Sequence, residues 1–319
     1  MTGLDVSRIC FGTWQLGSDW GSFEEQEAIG AIRRARELGI DFFDTAQAYG
    51  WGESERLLGR ALADELRSDR DALVIATKGG LRMDGNQLRR DSSPQWLREG
   101  VDQSLRELGV EHIDIYQVHW PDPDTPFAET AGALQDLVDE GKIRHIGVSN
   151  FDAAQMAEFA RTRPVGTLQP PYHLFRREIE DEVLPYCREH DVGVLVYGPL
   201  AHGLLTGAID ENTTFPEDDW RGESDLFQGE NLKRNVEAVR RLDELAHESG
   251  RKVSQLALAW VLANPAVHVA IVGTRNADHI AESVEAADIE LSDSDLARID
   301  EIVDQGVRIG GPTPDSGGR

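Results

Sequence analysis

The sequence predicts an α/β protein of the (β/α)8, or TIM, barrel class, folded as a single domain. Eight short β-rich runs alternate with amphipathic helical stretches along the chain. Eight parallel strands joined by crossover helices are typical of a closed barrel. The alternative is a doubly wound sheet, but the dinucleotide fingerprint G-x-G-x-x-G is missing, since Gly50-Trp51-Gly52 continues without the third glycine.

The predicted strands are runs of β-branched, aliphatic and aromatic residues, each five to seven residues long, as is typical of buried parallel strands. In chain order they are 9–14, 40–44, 73–77, 113–119, 143–148, 165–169, 192–197 and 267–272.

The predicted helices between them carry apolar residues three and four positions apart, which places these side chains on one face. Helix 24–38 and helix 96–108 are the clearest examples. Glycine often ends a helix because it adopts a left-handed backbone without strain. Gly39, Gly109 and Gly141 are therefore predicted helix ends.

Two segments stand apart from this alternation. The connection 203–231 is longer than the others and poor in apolar residues; because long loops in compact domains are usually functional, we expect it to cover the barrel mouth. Residues 1–305 form the expected barrel. Residues 306–319 are rich in glycine and proline, which predicts a flexible C-terminal tail.

The charge balance excludes several classes of partner. The formal net charge is −26, whereas nucleic acids and anionic membranes require basic surfaces. The apolar runs fall far short of the roughly 20 residues needed to cross a bilayer, and no secretory signal is readable. Cys10 and Cys187 lie in apolar surroundings, which is typical of core residues in a reducing compartment. We expect a cytoplasmic protein.

The positive charges are unusual in kind, because only four of the 32 cationic side chains are lysines. Carboxylates are spread along the whole chain. This composition resembles that of halophilic proteins and favours adaptation to a high-salt cytoplasm. The alternative is ordinary solubility through net charge.

The carboxyl ends of barrel strands carry the active site in this fold class. Asp44 ends the second predicted strand, Lys78 follows the third, and His119 ends the fourth. Any one of these could be a structural residue. Together, three consecutive strands present titratable groups at one mouth, which indicates a catalytic site.

The sequence lacks the motifs that metal-dependent and serine hydrolases need. No histidine pair has the spacing H-x-H or H-x-x-x-H, so a metal site is not expected, and no G-x-S-x-G elbow is present. Tyr49 follows Asp44 by five residues. A phenol has an ordinary pKa of about 10, which a nearby ammonium lowers. Asp44, Tyr49, Lys78 and His119 could therefore form a general acid with its tuning groups.

The motifs resemble those of the aldo-keto reductases in order and spacing, from about residue 9 to residue 304. They are Gly12-Thr13-Trp14, FFDTAQAYGWGESERLLGRAL, ATKGG, DIYQVHWPDP, GKIRHIGVSNF, YGPLAHGLLTG and AIVGTRNADHIAES. The resemblance implies a barrel that reduces an aldehyde or ketone by hydride transfer from NAD(P)H. It implies that Tyr49 protonates the carbonyl oxygen, that Lys78 with Asp44 lowers the pKa of Tyr49, and that His119 orients the substrate.

The same resemblance implies a set of cofactor-binding positions. Ser149, Asn150 and Gln169 match residues that hold the nicotinamide carboxamide, and Tyr197 matches the aromatic ring that stacks on it. The pyrophosphate and adenosine positions are Gly198, Leu200, Gly203, Leu204, Gly273, Thr274, Arg275, His279 and Ser283.

The adenosine end departs from the usual pattern of the family at Gly273, His279 and Ser283, which puts strict NADP preference in doubt. A guanidinium at Arg275 could still make a forked contact with a 2′-phosphate. We expect NADP(H) to be preferred, with NAD(H) possible.

Aromatic residues near the strand ends predict an apolar pocket for a small carbonyl or alcohol substrate. They are Trp14, Trp20, Trp51 and Trp120. The sequence does not distinguish between aldehydes, ketones and aldoses as substrates, and it does not indicate the oligomeric state. The competing hypothesis is a nucleotide-binding regulatory or redox-sensing protein of the same fold. We favour the enzyme, because the sequence predicts no additional partner-binding domain.

Overall fold

The computed structural model describes residues 2–17, 24–216 and 219–309. Within them, eight parallel strands close a barrel, which confirms the predicted fold class. Each strand pairs with its neighbours in the chain order of the barrel, and the first pairs with the last through Ile9 and Ala270. The barrel strands are β1 (Ile9–Gly12), β2 (Phe42–Asp44), β3 (Val74–Gly79), β6 (Ile113–Val118), β7 (Ile143–Ser149), β8 (Thr167–Gln169), β9 (Gly193–Tyr197) and β10 (Val269–Gly273).

The remaining two strands, β4 (Leu81–Asp84) and β5 (Gln87–Arg90), form an antiparallel hairpin after β3. The sequence analysis missed this hairpin. Gly85 at its turn has a φ of 61°, a left-handed conformation suited to a two-residue hairpin turn. The dipeptide Gly85-Asn86, which separates the two strands, was the local signal for it.

The helices follow the strands in alternation, with bounds close to those predicted. They are α1 (Glu25–Glu37), α2 (Glu53–Ala61), α3 (Ala63–Ser68), α4 (Pro94–Leu108), α5 (Phe127–Asp139), α6 (Ala153–Ala160), α7 (Val183–Glu189), α8 (Gly229–Glu248), α9 (Val253–Ala263), α10 (Ala277–Glu285) and α11 (Asp293–Val303). The three glycines predicted as helix ends all follow a helix and have positive φ.

The core has two layers because successive residues of a strand point to opposite faces. Side chains such as Cys10, Phe42 and Ile115 fill the barrel interior. A larger apolar layer lies between the strands and the helices. Both cysteines are buried and unpaired, as predicted. Burial raises the pKa of both thiols, that of Cys187 to about 12.

The connection expected to cover the mouth contains regular structure. Short 3₁₀ helices occupy Ala201–Thr206, Trp220–Glu223 and Asp225–Phe227, and α8 begins at Gly229, before the predicted end of the loop. The Trp220 ring stacks on Trp14 with centroids 6.3 Å apart. This segment therefore packs against residues at the end of β1.

Two backbone amides after α11 contact the rest of the barrel. The Val307 amide donates to Asn235 Oδ1 at 2.7 Å, and the Ile309 amide donates to the Phe175 carbonyl at 2.8 Å. Both residues belong to the segment 306–319 expected to be a flexible tail, and that boundary stays a prediction. The rest of the expected tail, 310–319, lies outside the described residues, as does Trp20.

Each described helix is too short or too polar to cross a membrane. The described residues also contain no cluster of three or more His, Cys, Asp or Glu side chains arranged to hold a metal ion.

Candidate active site at the carboxyl ends of the barrel strands

The strand ends bring Asp44, Tyr49 and Lys78 into direct contact. Asp44 is the last residue of β2, Lys78 lies near the end of β3, and Tyr49 lies in the turn between β2 and α2. The Lys78 ammonium donates to Asp44 Oδ1 at 2.6 Å, to the Thr45 carbonyl at 2.8 Å and to Tyr49 Oη at 3.4 Å. One buried cation therefore joins the carboxylate to the phenol.

The Asp44 carboxylate is fixed from its other side by two amides. Gln169 Nε2 donates to Asp44 Oδ2 at 2.8 Å, and Gln117 Nε2 donates to the same oxygen at 3.3 Å. A buried ion pair must recover its desolvation cost through good geometry and further hydrogen bonds. Gln117 was missed by the sequence analysis, although it lies two residues before His119 and so shares its face of β6.

Aromatic rings surround the Tyr49 phenol. His119 contacts Tyr49 edge to face, with ring centroids 5.9 Å apart, and Trp14 stacks on Tyr49 at 6.4 Å. The Asn150 amide donates to the His119 carbonyl at 3.0 Å, which ties the end of β6 to the end of β7. The phenol therefore lies between two aromatic rings, with the Lys78 ammonium on its third side.

A cavity of about 220 Å³ opens on these groups. Most of the residues predicted for catalysis and cofactor binding contribute to its wall. They are Trp14, Asp44, Tyr49, His119, Ser149, Asn150, Gln169, Tyr197, Gly198, Leu200, Gly203 and Gly273. Lys78 lies behind them and reaches the wall through Asp44 and Tyr49.

The ends of β7, β8 and β9 supply a linked set of polar groups to this cavity. Ser149 Oγ donates to the Gln169 carbonyl at 2.8 Å, and Tyr197 Oη donates to Asn150 Oδ1 at 2.9 Å. Asn150 has a φ of 63° and so holds its amide at the turn. An aromatic ring, amides, a hydroxyl and glycine backbone in one cavity suit a planar ring with an amide substituent and a phosphate-bearing chain.

The structure keeps two of the predicted aromatic residues away from the cavity. The Trp51 side chain is 38% exposed, because its turn faces solvent. The Trp120 ring is buried beneath the Arg90 guanidinium, 5.0 Å from its centroid. Neither lines the cavity, so only Trp14 of the four predicted tryptophans is shown at its wall.

Several residues predicted for the pyrophosphate and the adenosine end lie beyond the cavity wall. Leu204 is buried in the outer apolar layer. Arg275 Nε donates to the Gln15 carbonyl at 2.9 Å, and Thr274 forms a turn with Asn276. His279 and Ser283 lie on α10, where Ser283 Oγ donates to the His279 carbonyl. The backbone and side chains nearest the cavity at this end are those of Gly273 and Gln15.

The cavity also contains residues that the sequence analysis did not select. Gln15, His202 and Arg221 line it. A Cβ placed on Gly273 would lie 1.9 Å from Gln15 Oε1, so glycine leaves the space that Gln15 occupies. For His202, the position between the predicted cofactor residues Leu200 and Gly203 was a weak sequence signal. Arg221 had none, because it reaches the site from the distant connection before α8.

The barrel, the buried Asp44–Lys78 pair beside a tyrosine and the cavity over them define a class of nicotinamide-dependent oxidoreductase. A sequence model described as "Aldo/keto reductase family" matches residues 8–304. The chain belongs to the aldo-keto reductase family. It is an enzyme that reduces carbonyl compounds with NAD(P)H.

Known relatives cover nearly the whole chain. It is 42% identical to "Aldo-keto reductase YhdN" of Bacillus subtilis over 95% of this chain and 92% of that protein. It is 34% identical to the "NADH-specific methylglyoxal reductase" of Escherichia coli, over 95% and 96%. The solved glycerol dehydrogenase AKR11B4 from Gluconobacter oxydans has a TM-score of 0.88 and 38% identity, over 98% of this chain and 95% of that one.

Proposed function

We propose that this enzyme reduces small aldehydes or ketones to alcohols, with NADP(H) as the preferred cofactor and Tyr49 as the general acid. The arrangement of Lys78 carries the proposal, because its ammonium contacts both the Asp44 carboxylate and the Tyr49 phenol. A cation beside a phenol stabilises the phenolate that remains after the proton has left.

The proposed reduction joins a hydride and a proton to the carbonyl group. NAD(P)H, when bound, would supply the hydride that reaches the carbonyl carbon. Tyr49 donates its proton to the carbonyl oxygen, so the C=O bond becomes a C–OH group and Tyr49 becomes a phenolate. The Lys78 ammonium, 3.4 Å from Tyr49 Oη, stabilises that negative charge, and Asp44 holds the ammonium in place at 2.6 Å. His119, edge-on to Tyr49, positions the carbonyl oxygen for protonation.

The residues along β7, β8 and β9 would hold the cofactor. Ser149, Asn150 and Gln169 offer amide and hydroxyl groups to the nicotinamide carboxamide, and the Tyr197 ring offers a stacking surface. Gly198, Leu200, Gly203 and Leu204 belong to the segment proposed for the pyrophosphate, and Gly273, Thr274, Arg275, His279 and Ser283 to that for the adenosine end. Glycine backbone allows phosphate groups to approach closely.

The preference for NADP(H) rests on Arg275, the cation at the start of the segment before α10. A guanidinium can bind a 2′-phosphate through a forked contact. The family alone does not fix this choice, since the E. coli relative is named as NADH-specific. NAD(H) is therefore the alternative cofactor.

The substrate class is proposed from the wall of the cavity and from the relatives. Trp14 supplies an aromatic surface, whereas Tyr49 and His119 supply hydrogen-bonding groups. The relatives named above act on methylglyoxal and glycerol, which are both small oxygenated three-carbon compounds. We propose a small carbonyl compound of this kind as the substrate.

A steady-state assay tests the proposal. Oxidation of NADPH and NADH is measured against methylglyoxal, glyceraldehyde, dihydroxyacetone and benzaldehyde. In Tyr49→Phe, kcat should fall by roughly 10² to 10⁴, the usual contribution of general acid catalysis, while NADPH binding is retained. A variant that keeps more than about a third of the wild-type rate would remove Tyr49 from this role.

We further propose that the enzyme works in a cytoplasm of high salt. The net charge of −26 and the scarcity of lysine support this environment. Its proposed partner is a small carbonyl or alcohol substrate that binds in the cavity beside Tyr49 and His119.

A further inference from the structure

Behind the proposed catalytic site, Glu55 is buried between α2 and β3. Its side chain is fully inaccessible, and it has no ion pair within the described residues. Burying a carboxyl group is costly unless hydrogen bonds compensate for the lost water. A buried glutamate in the first turn of α2 therefore calls for a specific role.

The hydrogen bond of Glu55 leads to the strand that carries Lys78. Thr77 Oγ1 donates to Glu55 Oε1 at 2.6 Å. Because strand side chains alternate, Thr77 points outward to α2 while Lys78 points inward to the site. The bond thus fixes the outer face of β3 at the residue next to the ammonium.

The other end of this link is the turn that carries Tyr49. The Ser54 amide donates to the Tyr49 carbonyl at 3.2 Å, one residue before Glu55. On β3, the Lys78 carbonyl accepts from the Gln47 amide at 3.0 Å. The Tyr49 turn is therefore joined to β3 by a backbone bond at one end and by the Glu55–Thr77 bond at the other.

The space around Glu55 is shaped for this contact. Tyr116 from β6 and Ser104 from α4 are also fully buried. Burial raises the pKa of Glu55, and the negative charge of Glu107 raises it further. Hydrogen bonds from the Thr77 and Ser104 hydroxyls and the positive charge of Lys78 act in the opposite direction. The pKa of Tyr116 is raised as well, by burial and by Glu55. A neutral acid at Glu55 still accepts the Thr77 hydrogen bond.

We propose that Glu55 is a positioning residue, which through Thr77 sets the separation between the Tyr49 phenol and the Lys78 ammonium. This proposal rests on the proposed function, in which these two groups carry the proton transfer. Neither Glu55 nor Thr77 lines the cavity, so the link should affect the chemical step more than cofactor binding. A displacement of 1 Å in a catalytic group can reduce a rate by about 10²-fold.

Three variants test the link. Thr77→Val removes the donor at nearly constant volume, Glu55→Ala removes the acceptor, and Glu55→Gln keeps a carbonyl oxygen to accept the bond. The matched control is Thr130→Val, because Thr130 is equally buried and donates to the Ser92 carbonyl at 3.1 Å, away from Tyr49 and Lys78. The readouts are kcat, the KM for NADPH and the fraction of enzyme that binds NADPH.

We expect kcat to fall roughly tenfold or more in Thr77→Val and Glu55→Ala, with the KM for NADPH changed less than about threefold. Glu55→Gln should recover most of kcat, and Thr130→Val should retain it. If Glu55→Ala does not fold, Thr77→Val decides.

Three results would overturn the inference. The first is a kcat in Thr77→Val within about twofold of the Thr130→Val control. The second is an equal loss in Glu55→Gln and Glu55→Ala, and the third is a parallel loss of NADPH affinity, which would indicate general distortion. Tyr49→Phe separates the two proposals: if it retains the wild-type rate, the proposed function fails, whereas if only the Thr77 and Glu55 variants retain it, this inference alone fails.

Discussion

At the scale of single residues, Lys78 is the most constrained charge of the proposed site. Its side chain is 1% exposed, and its ammonium is surrounded by three oxygen acceptors from Asp44, Thr45 and Tyr49. Such a charge cannot reorient toward water. Its direction toward the phenol is therefore fixed by the fold before any substrate binds, which lowers the reorganisation needed during proton transfer.

Replacing Lys78 with Met should remove the cation and leave the apolar stem. We expect kcat for carbonyl reduction to fall by roughly 10² or more, because the phenolate left after proton donation loses its stabilising charge. Stopped-flow measurement of NADPH oxidation in a single turnover isolates this step. Met leaves the Asp44 carboxylate without its ion-pair partner, so the variant's thermal unfolding must be recorded too; an unchanged single-turnover rate in a folded variant would contradict the role of Lys78.

Arg275 tests the cofactor preference at the same scale. Its guanidinium already donates to the Gln15 carbonyl, which holds it close to the cavity end at Gly273. Arg275→Ala should weaken NADPH binding by about 1.5 to 3 kcal/mol, the contribution of a hydrogen bond to a charged group, and leave NADH binding nearly unchanged. Titration of both cofactors by fluorescence quenching measures this difference. Equal losses would make Arg275 a structural residue.

At the scale of elements, some helices are stabilised by a side-chain cap as well as by their apolar faces. Helix α11 lies far along the chain from the proposed catalytic residues and begins with a capping box. The Ser292 hydroxyl accepts from the Asp295 amide at 3.2 Å and donates to the Asp295 carboxylate at 2.7 Å. The Ser292 hydroxyl and the Ser292 backbone amide, which donates to the same carboxylate at 3.0 Å, lower the pKa of Asp295 below its ordinary value of 3.8.

Ser292→Ala should lower the free energy of unfolding by about 1 kcal/mol at pH 7, without changing kcat. A carboxyl whose pKa is depressed by folding stabilises the protein above its unfolded pKa, and this contribution disappears as the pH falls through the folded value. The difference in the free energy of unfolding between Ser292→Ala and the wild type should therefore become smaller below about pH 3.8. Urea unfolding across this range measures it; a difference that stays constant with pH would mean that the Asp295 carboxylate takes no part in the cap.

At the scale of the whole molecule, the dominant physical property is the net charge of −26. Many carboxylates pair with arginine on the surface, as Glu248 does with Arg298. Exposed pairs of this kind contribute little individually, so they do not cancel the repulsion of the excess carboxylates. The compact state is therefore opposed by like charge at low ionic strength.

Molar salt should stabilise the fold, because the Debye length falls from about 10 Å at 0.1 M to about 3 Å at 1 M. We expect the melting temperature to be higher in 2 M KCl than in 0.1 M KCl, and turnover to persist above about 1 M. NADPH affinity should fall in the same range, since salt screens an exposed contact between Arg275 and a phosphate. Coincident melts, with activity highest at the lower salt, would leave the carboxylates as a solubility device only.

The barrel and most of the proposed site could be predicted from local sequence patterns. Strand and helix periodicities are local properties, and a (β/α)8 topology brings every strand end to one mouth whatever the details of packing. Asp44, Lys78 and His119 could therefore be grouped before any distance was known. Tyr49 joined them through its position five residues after Asp44, and the motif resemblance added the residues at the ends of β7, β8 and β9.

Contacts between side chains far apart in the chain could be read only from the folded structure. Gln169 contacts Asp44 from 125 residues away, and Arg275 contacts Gln15 from 260 residues away. Trp51 and Trp120 follow strand ends, yet neither side chain lines the cavity. Trp51 is exposed to solvent, and the Trp120 ring packs under the Arg90 guanidinium. The burial of Glu55 was equally unreadable, since its charge alone predicts exposure. Periodicity fixes the face and the end of an element, whereas contacts between distant residues depend on how all elements pack together.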